Sequence, residues 1–141
     1  MVGIIYFDLN RLKSINDRFG HERGDQAIQS FGTLLAMTFR ESDVLARLGG
    51  DEFAVLTWAI DGPDLTPIRA RLDDHVLHHN ARVAEGMEIE FSCGVSWTDS
   101  RRPLSLAELV KMADGEKYLE KRSQGAAVVA DTAAARQSAT D

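Results

Sequence analysis

Two short apolar runs, Val44–Leu48 and Phe53–Leu56, are separated only by Gly49-Gly50-Asp51-Glu52. Four residues of this kind between strand-like runs turn the chain straight back on itself as a β-hairpin. Two glycines followed by two carboxylates are an awkward choice for a turn that serves stability alone. The glycines admit positive φ and let the backbone approach a bulky ligand. The carboxylates stand at the hairpin tip, where they can hold a hard cation. Asp8 closes a second apolar run, Val2–Phe7. Two strand ends offering Asp8 and Asp51 suggest a nucleotide–Mg²⁺ site.

The other elements follow from periodicity. Val2–Phe7 is continuously apolar and β-favouring, the pattern of a central strand buried on both faces. Between Asp25 and Arg40 the residues Ala27, Ile28, Phe31, Leu34, Leu35 and Phe39 recur at helical spacing. Thr66-Pro67 is read as an N-cap and first helical position, opening a helix to about Arg82. Ile89, Phe91, Cys93, Val95 and Trp97 alternate with polar or small residues as in a half-buried strand. Ser105-x-x-Glu108 is a capping box that starts a last helix, predicted to end near Arg122 and to be followed by a short strand at Ala126–Ala130. The expected order is β-α-β-β-α-β-α, an α+β fold with helices on an antiparallel sheet in a split βαβ arrangement. Residues 1–130 are expected to form the domain and 131–141, with no apolar side chain larger than Ala, a disordered tail.

Composition narrows the function classes. A chain of 141 residues with 44% hydrophobic content can bury one core. A net charge of −6 argues against sequence-independent nucleic-acid binding. The single Cys93 leaves no intramolecular disulfide and fits a reducing cytosol. No apolar run is long enough to span a membrane. A cytoplasmic location is expected, with attachment to a longer, membrane-tethered protein left open. His75, His78 and His79 lie on one predicted helix without convincing metal geometry, and Cys93 is expected in the core.

Three ordered blocks carry a resemblance. They are Phe7-Asp8-Leu9-Asn10-Arg11-Leu12-Lys13-Ser14-Ile15-Asn16-Asp17-Arg18-Phe19-Gly20-His21, then Gly24-Asp25, then Arg47-Leu48-Gly49-Gly50-Asp51-Glu52-Phe53. In order and spacing they resemble the GGDEF family of diguanylate cyclases over about residues 2–123. Taken on their chemistry, Asp8, Asp51 and the carbonyl of Leu9 suit Mg²⁺ or Mn²⁺, which takes one or two carboxylates plus phosphate oxygens. Lys13 can add a point charge near phosphates, and the amides of Arg11 and Leu12 can form an anion nest. Asn16 and Asp25 complement the edge of guanine. The resemblance implies the same roles, adding Asp51 with Glu52 as catalytic residues, Gly49 at the substrate and Lys121 at phosphate. It implies an α+β palm-type core, GTP as substrate, cyclic di-GMP as product and a second copy of the domain facing the first.

The resemblance is incomplete in places. Family members often have Asp at the position of Asn10 and Phe at that of Leu12. They close with Ala-Asp-x-Ala-Leu-Tyr-x-Ala-Lys-x-x-Gly-Arg-Asn, where this chain has Ala113-Asp114-Gly115-Glu116-Lys117-Tyr118-Leu119-Glu120-Lys121-Arg122-Ser123-Gln124-Gly125-Ala126. Gly125 thus stands at the arginine position. Family domains also begin with a helix that this sequence, starting at Met1, does not include. Arg40-x-x-Asp43 lies at the family's offset for an inhibitory cyclic di-GMP site, with Arg71 as a second arginine; the plainer alternative is a helix end closed by Arg40 and Asp43. The resemblance implies a diguanylate cyclase that condenses two GTP into cyclic di-GMP and two pyrophosphates; the alternative is a catalytically weak or inactive GTP- or cyclic di-GMP-binding regulatory domain.

Overall fold

The computed structural model describes the backbone of residues 1–59 and 62–138, with side chains described up to residue 125. Its elements are β1 (Val2–Asn10), α1 (Leu12–Phe19), α2 (His21–Thr38), β2 (Val44–Gly49), β3 (Glu52–Trp58), α3 (Thr66–Asn80), β4 (Glu90–Thr98) and α4 (Leu106–Ser138). The four strands form one antiparallel sheet in the order β2-β3-β1-β4. β1 is a central strand with Gly3–Leu9 buried throughout, as its unbroken apolar run predicts.

Alternation along β1 divides the core. Ile5, Phe7 and Leu9 face α2 and α3, where Phe31 and Leu35 of α2 are fully buried beside Phe53, Leu72 and Phe91. Ile4 and Tyr6 face the other way and pack with Leu109 and Ala113 of α4. Asp8 shares this second face by register, opposite Glu52 on β3 and Ser92 on β4. The β2–β3 half of that face is less covered, with Val44 and Trp58 exposed.

α4 approaches β4 closely because Gly94 has no side chain. A Cβ there would lie 2.1 Å from the Ala113 carbonyl oxygen. Glu120 of α4 accepts the Cys93 amide and, at 2.8 Å, an Arg69 guanidinium N–H. Burial pushes the Cys93 thiol up to about 12, consistent with its expected core position. At the next turn, the Asn10 amide donates to Ser92 Oγ at 3.0 Å and to Gln124 Oε1 at 2.9 Å. Ser92 Oγ also donates to Gln124 at 2.9 Å. The Ser105–Glu108 box forms as expected, with the Glu108 amide on Ser105 Oγ at 3.2 Å and the Ser105 amide on Glu108 at 2.7 Å.

Three elements differ from the sequence expectation. α1 is a separate helix to which the sequence reading assigns no element, and Gly20, at φ 91°, breaks it from α2. α3 ends at Asn80 and takes its start from Asp64, whose carboxylate accepts the Thr66 amide at 2.9 Å, so Thr66 is not its cap. α4 continues to Ser138, through the Ala126–Ala130 segment expected as a strand and into the residues expected as a tail. Alanine has the highest helix propensity of any residue, and this stretch is rich in it. Residues 139–141 lie outside the described residues. Among the described residues, no helix is long and apolar enough to cross a membrane.

Candidate active site

The end of β1, the β2–β3 turn and one face of α4 meet at Asp8. Gly50, at φ 29°, supplies the left-handed conformation that the turn needs. Arg47 clamps that turn with a fork, donating from Nε at 3.1 Å and Nη2 at 2.9 Å to the Gly50 carbonyl. The Leu9 amide donates to the Asp51 carbonyl at 3.0 Å, which ties the turn to the strand end. The hairpin therefore holds Asp51 beside Asp8 through backbone contacts, before any ligand arrives.

Asp8 is buried, its Oδ2 accepts Lys121 Nζ at 2.9 Å, and Lys117 Nζ lies 3.7 Å from the same oxygen. Its Oδ1 is buried with no hydrogen-bond partner among the described residues. Burial and the neighbouring Asp8 carboxylate together raise the Asp51 pKa above the ordinary range, against the pull of Lys121. Two close carboxylates of which one retains an orphaned oxygen fit a divalent cation. No cluster of three or more His, Cys, Asp or Glu with metal-holding geometry occurs among the described residues. A cation here would complete its shell with water, and with phosphate oxygens once a nucleotide is bound, as Mg²⁺ sites commonly do.

Glu52 is engaged elsewhere. Tyr6 donates its hydroxyl to Glu52 Oε2 at 3.0 Å, and Lys117 Nζ approaches Oε1 at 3.4 Å. Burial and Glu52 push the Tyr6 hydroxyl up to about 12. Lys117 also pairs with Asp114 at 2.9 Å and lies 4.8 Å from the centre of the Tyr6 ring. Burial works to lower its pKa, but Asp114, Asp8 and Glu52 hold it above the ordinary value. Sequence reasoning missed Lys117, Tyr6 and Arg47. The signal for Lys117 was its place on the Leu109–Ala113 face of the last helix, four residues beyond Ala113.

The remaining candidates surround this centre. Arg11 adopts a left-handed conformation (φ 62°) and turns the chain into α1, whose N-terminus has no side-chain cap. Leu12 opens that helix, and Lys13 is exposed on its first turn. The Arg11 side chain itself reaches Glu90 at 3.7 Å. Asn16 lies in the last turn of α1 against Gly24, where a Cβ would come within 1.7 Å of Asn16 Oδ1. That oxygen is buried and has no partner among the described residues. Gly24 thus brings Asn16 against the first turn of α2, and the next residue, Asp25, is exposed. Lys121 is exposed enough to leave Asp8, while Arg122 and Gly125 are exposed on α4.

Arg40 and Asp43 lie apart from this centre. Asp43 accepts the Arg40 amide at 2.8 Å and the Thr57 hydroxyl at 2.8 Å, so its carboxylate closes the α2–β2 connection. The Arg40 side chain lines a cavity of about 330 Å³ with Thr57, Trp58, Leu65, Ile68 and Trp97. Arg71 is exposed on α3 and is not part of that lining. His75 Nδ1 meets Thr38 Oγ1 at 2.9 Å, a tie between α3 and α2.

The chain is similar to known proteins of one family. The family profile described as "Diguanylate cyclase, GGDEF domain" matches residues 1–126. The response regulator PleD of Caulobacter vibrioides is 36% identical over 135 residues, covering 94% of this chain and 30% of PleD. The probable diguanylate cyclase DgcJ of Escherichia coli K12 is 33% identical over 124 residues, covering 87% of this chain and 24% of DgcJ. The chain therefore spans less than a third of either relative. Among solved structures, the diguanylate cyclase SiaD of Pseudomonas aeruginosa, crystallised with its activator SiaC, superposes with a TM-score of 0.74 at 29% identity, over 86% of this chain and 46% of SiaD. The GGDEF domain of YfiN (TpbB) from the same organism gives 0.67 at 32% identity, over 86% of this chain and 76% of that one.

Proposed function

The chain belongs to the GGDEF family of diguanylate cyclase domains, and from that premise we propose that it condenses two GTP into cyclic di-GMP with release of two pyrophosphates. The observation that carries the proposal is Asp8 with a buried, unpartnered oxygen beside an Asp51 whose pKa is raised. Asp8, Asp51 and the Leu9 carbonyl would hold Mg²⁺ or Mn²⁺. When bound, the ion neutralises phosphate charge and lowers the pKa of the attacking ribose 3′-hydroxyl. Asp51 would accept the proton of that hydroxyl.

The uncapped α1 N-terminus, with the amides of Arg11 and Leu12, offers donors to phosphate oxygens. Lys13 and Lys121 add charge, Lys121 by rotating off Asp8. The backbone at Gly49 leaves room for the nucleotide to approach the hairpin. The Asp25 carboxylate accepts from guanine N1–H and N2–H₂, and the Asn16 amide, turning off Gly24, reads the other groups of that edge. One domain holds one GTP, so two copies face each other and each 3′-hydroxyl attacks the partner's α-phosphate. That encounter is bimolecular and slow unless the domains are tethered together. Cyclic di-GMP returns to Arg40, with Asp43 shaping the loop and Arg71 of a neighbouring domain as a second arginine, and inhibits its own synthesis.

A second reading is a GTP- or cyclic di-GMP-binding domain without turnover. It is favoured by Gly125, exposed on α4 where related sequences carry arginine. Incubation with GTP and Mg²⁺ followed by product identification by mass separates the two. The cyclase reading expects cyclic di-GMP from the wild type and none from Asp51→Asn. Nucleotide binding without product would overturn it in favour of the second reading.

A further inference from the structure

Two lysines one helical turn apart on α4 meet the same Asp8 oxygen, yet their surroundings differ. The Lys121 side chain is 45% exposed and makes its contact from the solvent side. The Lys117 side chain is 8% exposed, roofed by the Tyr6 ring and enclosed by Asp8, Glu52 and Asp114. Lys121 can swing out to a ligand. Lys117 is held against the sheet, because Gly94 of β4 lets the α4 backbone at Ala113 and Lys117 pack in close contact with that strand.

We propose that Lys117 is a resident cation that withholds part of the acidic cluster from divalent metal. Its ammonium occupies the space among Glu52 Oε1, Asp8 Oδ2 and Asp114 Oδ1, while Tyr6 holds the other Glu52 oxygen. Glu52 is thereby committed to protein donors. Of the Asp8, Asp51 and Glu52 carboxylates, this leaves the orphaned Asp8 Oδ1 and the Asp51 carboxylate available to a metal ion. The cluster holds four carboxylates but takes a single divalent ion, because its second positive charge is built into the chain. Carboxylates that share a site are stable together only when enough positive charge accompanies them. Removing the ammonium therefore creates a vacancy for a further hard cation at Glu52 and Asp8, two oxygen donors of the kind such ions take.

The inference rests on the cation-site reading above, and the test separates the two. Mn²⁺ bound to the nucleotide-free domain is counted by electron paramagnetic resonance and calorimetry, in wild type, Lys117→Met, Glu52→Gln and Asp51→Asn. Wild type should bind about one Mn²⁺ and Lys117→Met about two. Glu52→Gln should keep wild-type Mn²⁺ affinity within about threefold, and Asp51→Asn should lose at least about tenfold. Lys117→Met leaves acidic groups unpaired, so it should melt lower than wild type without metal and recover more stability on adding Mn²⁺. Equal Mn²⁺ counts in wild type and Lys117→Met would overturn the inference. So would a loss of affinity in Glu52→Gln as large as that in Asp51→Asn, which can be measured even if Lys117→Met fails to fold. Unchanged Mn²⁺ binding in Asp51→Asn would instead remove the cation site itself, and the inference with it.

Discussion

Replacing Gly94 by Ala is a one-methyl change that should reach the active site through the packing of α4. The added Cβ would lie 2.1 Å from the Ala113 carbonyl oxygen and 2.2 Å from the Lys117 amide nitrogen. Both are backbone atoms, so no side-chain rotation relieves the clash. Packed carbon–oxygen contacts close to about 3.3 Å, so α4 must retreat by about 1 Å. Overpacking of this kind costs about 1–3 kcal/mol. For a domain of this size that corresponds to a melting temperature lower by roughly 3–15 °C. The same retreat carries Lys121 away from Asp8, where it now sits at 2.9 Å. Misplacement of a positioning group by about 1 Å costs on the order of 100-fold in rate. Thermal unfolding by circular dichroism and initial rates of cyclic di-GMP formation measure the two effects separately. A Gly94→Ala protein that melts within about 1 °C of wild type would refute the close-contact argument. Wild-type turnover despite a lowered melting temperature would refute the claim that α4 positions the lysines.

Other changes address single groups. The folded-state pKa of Asp51 lies above its unfolded value, so the metal-free domain loses stability as pH rises from about 4 through the folded pKa. Asp51→Asn should abolish that loss, melting higher than wild type at neutral pH without metal and gaining little from Mn²⁺; a pH-stability profile identical to wild type would contradict the Asp8–Asp51 repulsion. Asp25→Ala should raise the KM for GTP at least about tenfold, because a site built to hydrogen-bond its ligand suffers when a partner is lost; an unchanged KM would remove Asp25 from guanine recognition. Arg40→Ala should weaken cyclic di-GMP binding at least about tenfold while leaving GTP binding intact, as read by calorimetry. Asp43→Ala should in addition lower stability by about 1–3 kcal/mol, since it strands the Arg40 amide and the Thr57 hydroxyl.

The strands and the hairpin could be read directly from the sequence because their patterns are local. Val2–Phe7 is apolar throughout, residues 89–97 alternate, and the Gly49-Gly50 pair marks the turn that Gly50 makes between β2 and β3. α1 escaped because eight residues with apolar side chains at only Leu12, Ile15 and Phe19 give too few periods to recognise. The extent of α4 was misjudged because Val128-Val129 invites a strand, although its alanine neighbours favour helix. The acidic residues at the strand ends were legible from their placement. Lys117 was not, because its partners lie on β1 and β3, 109 and 65 positions earlier in the chain. Its meaning depends on the crossing of α4 over the sheet, which no window of sequence contains.

The Asn10–Ser92–Gln124 network bears on how the site can move. It fastens α4 to the ends of β1 and β4 within one turn of Lys121, and Ser92 at its centre is fully buried. Sliding or lifting the helix to admit a nucleotide would break these bonds together and leave buried polar groups unpaired, a motion for the microsecond range or slower. Rotation of the half-exposed Lys121 side chain requires none of that and takes picoseconds to nanoseconds. Ligand entry should therefore proceed by side-chain rearrangement over a stationary helix, with the slow step reserved for the meeting of two domains.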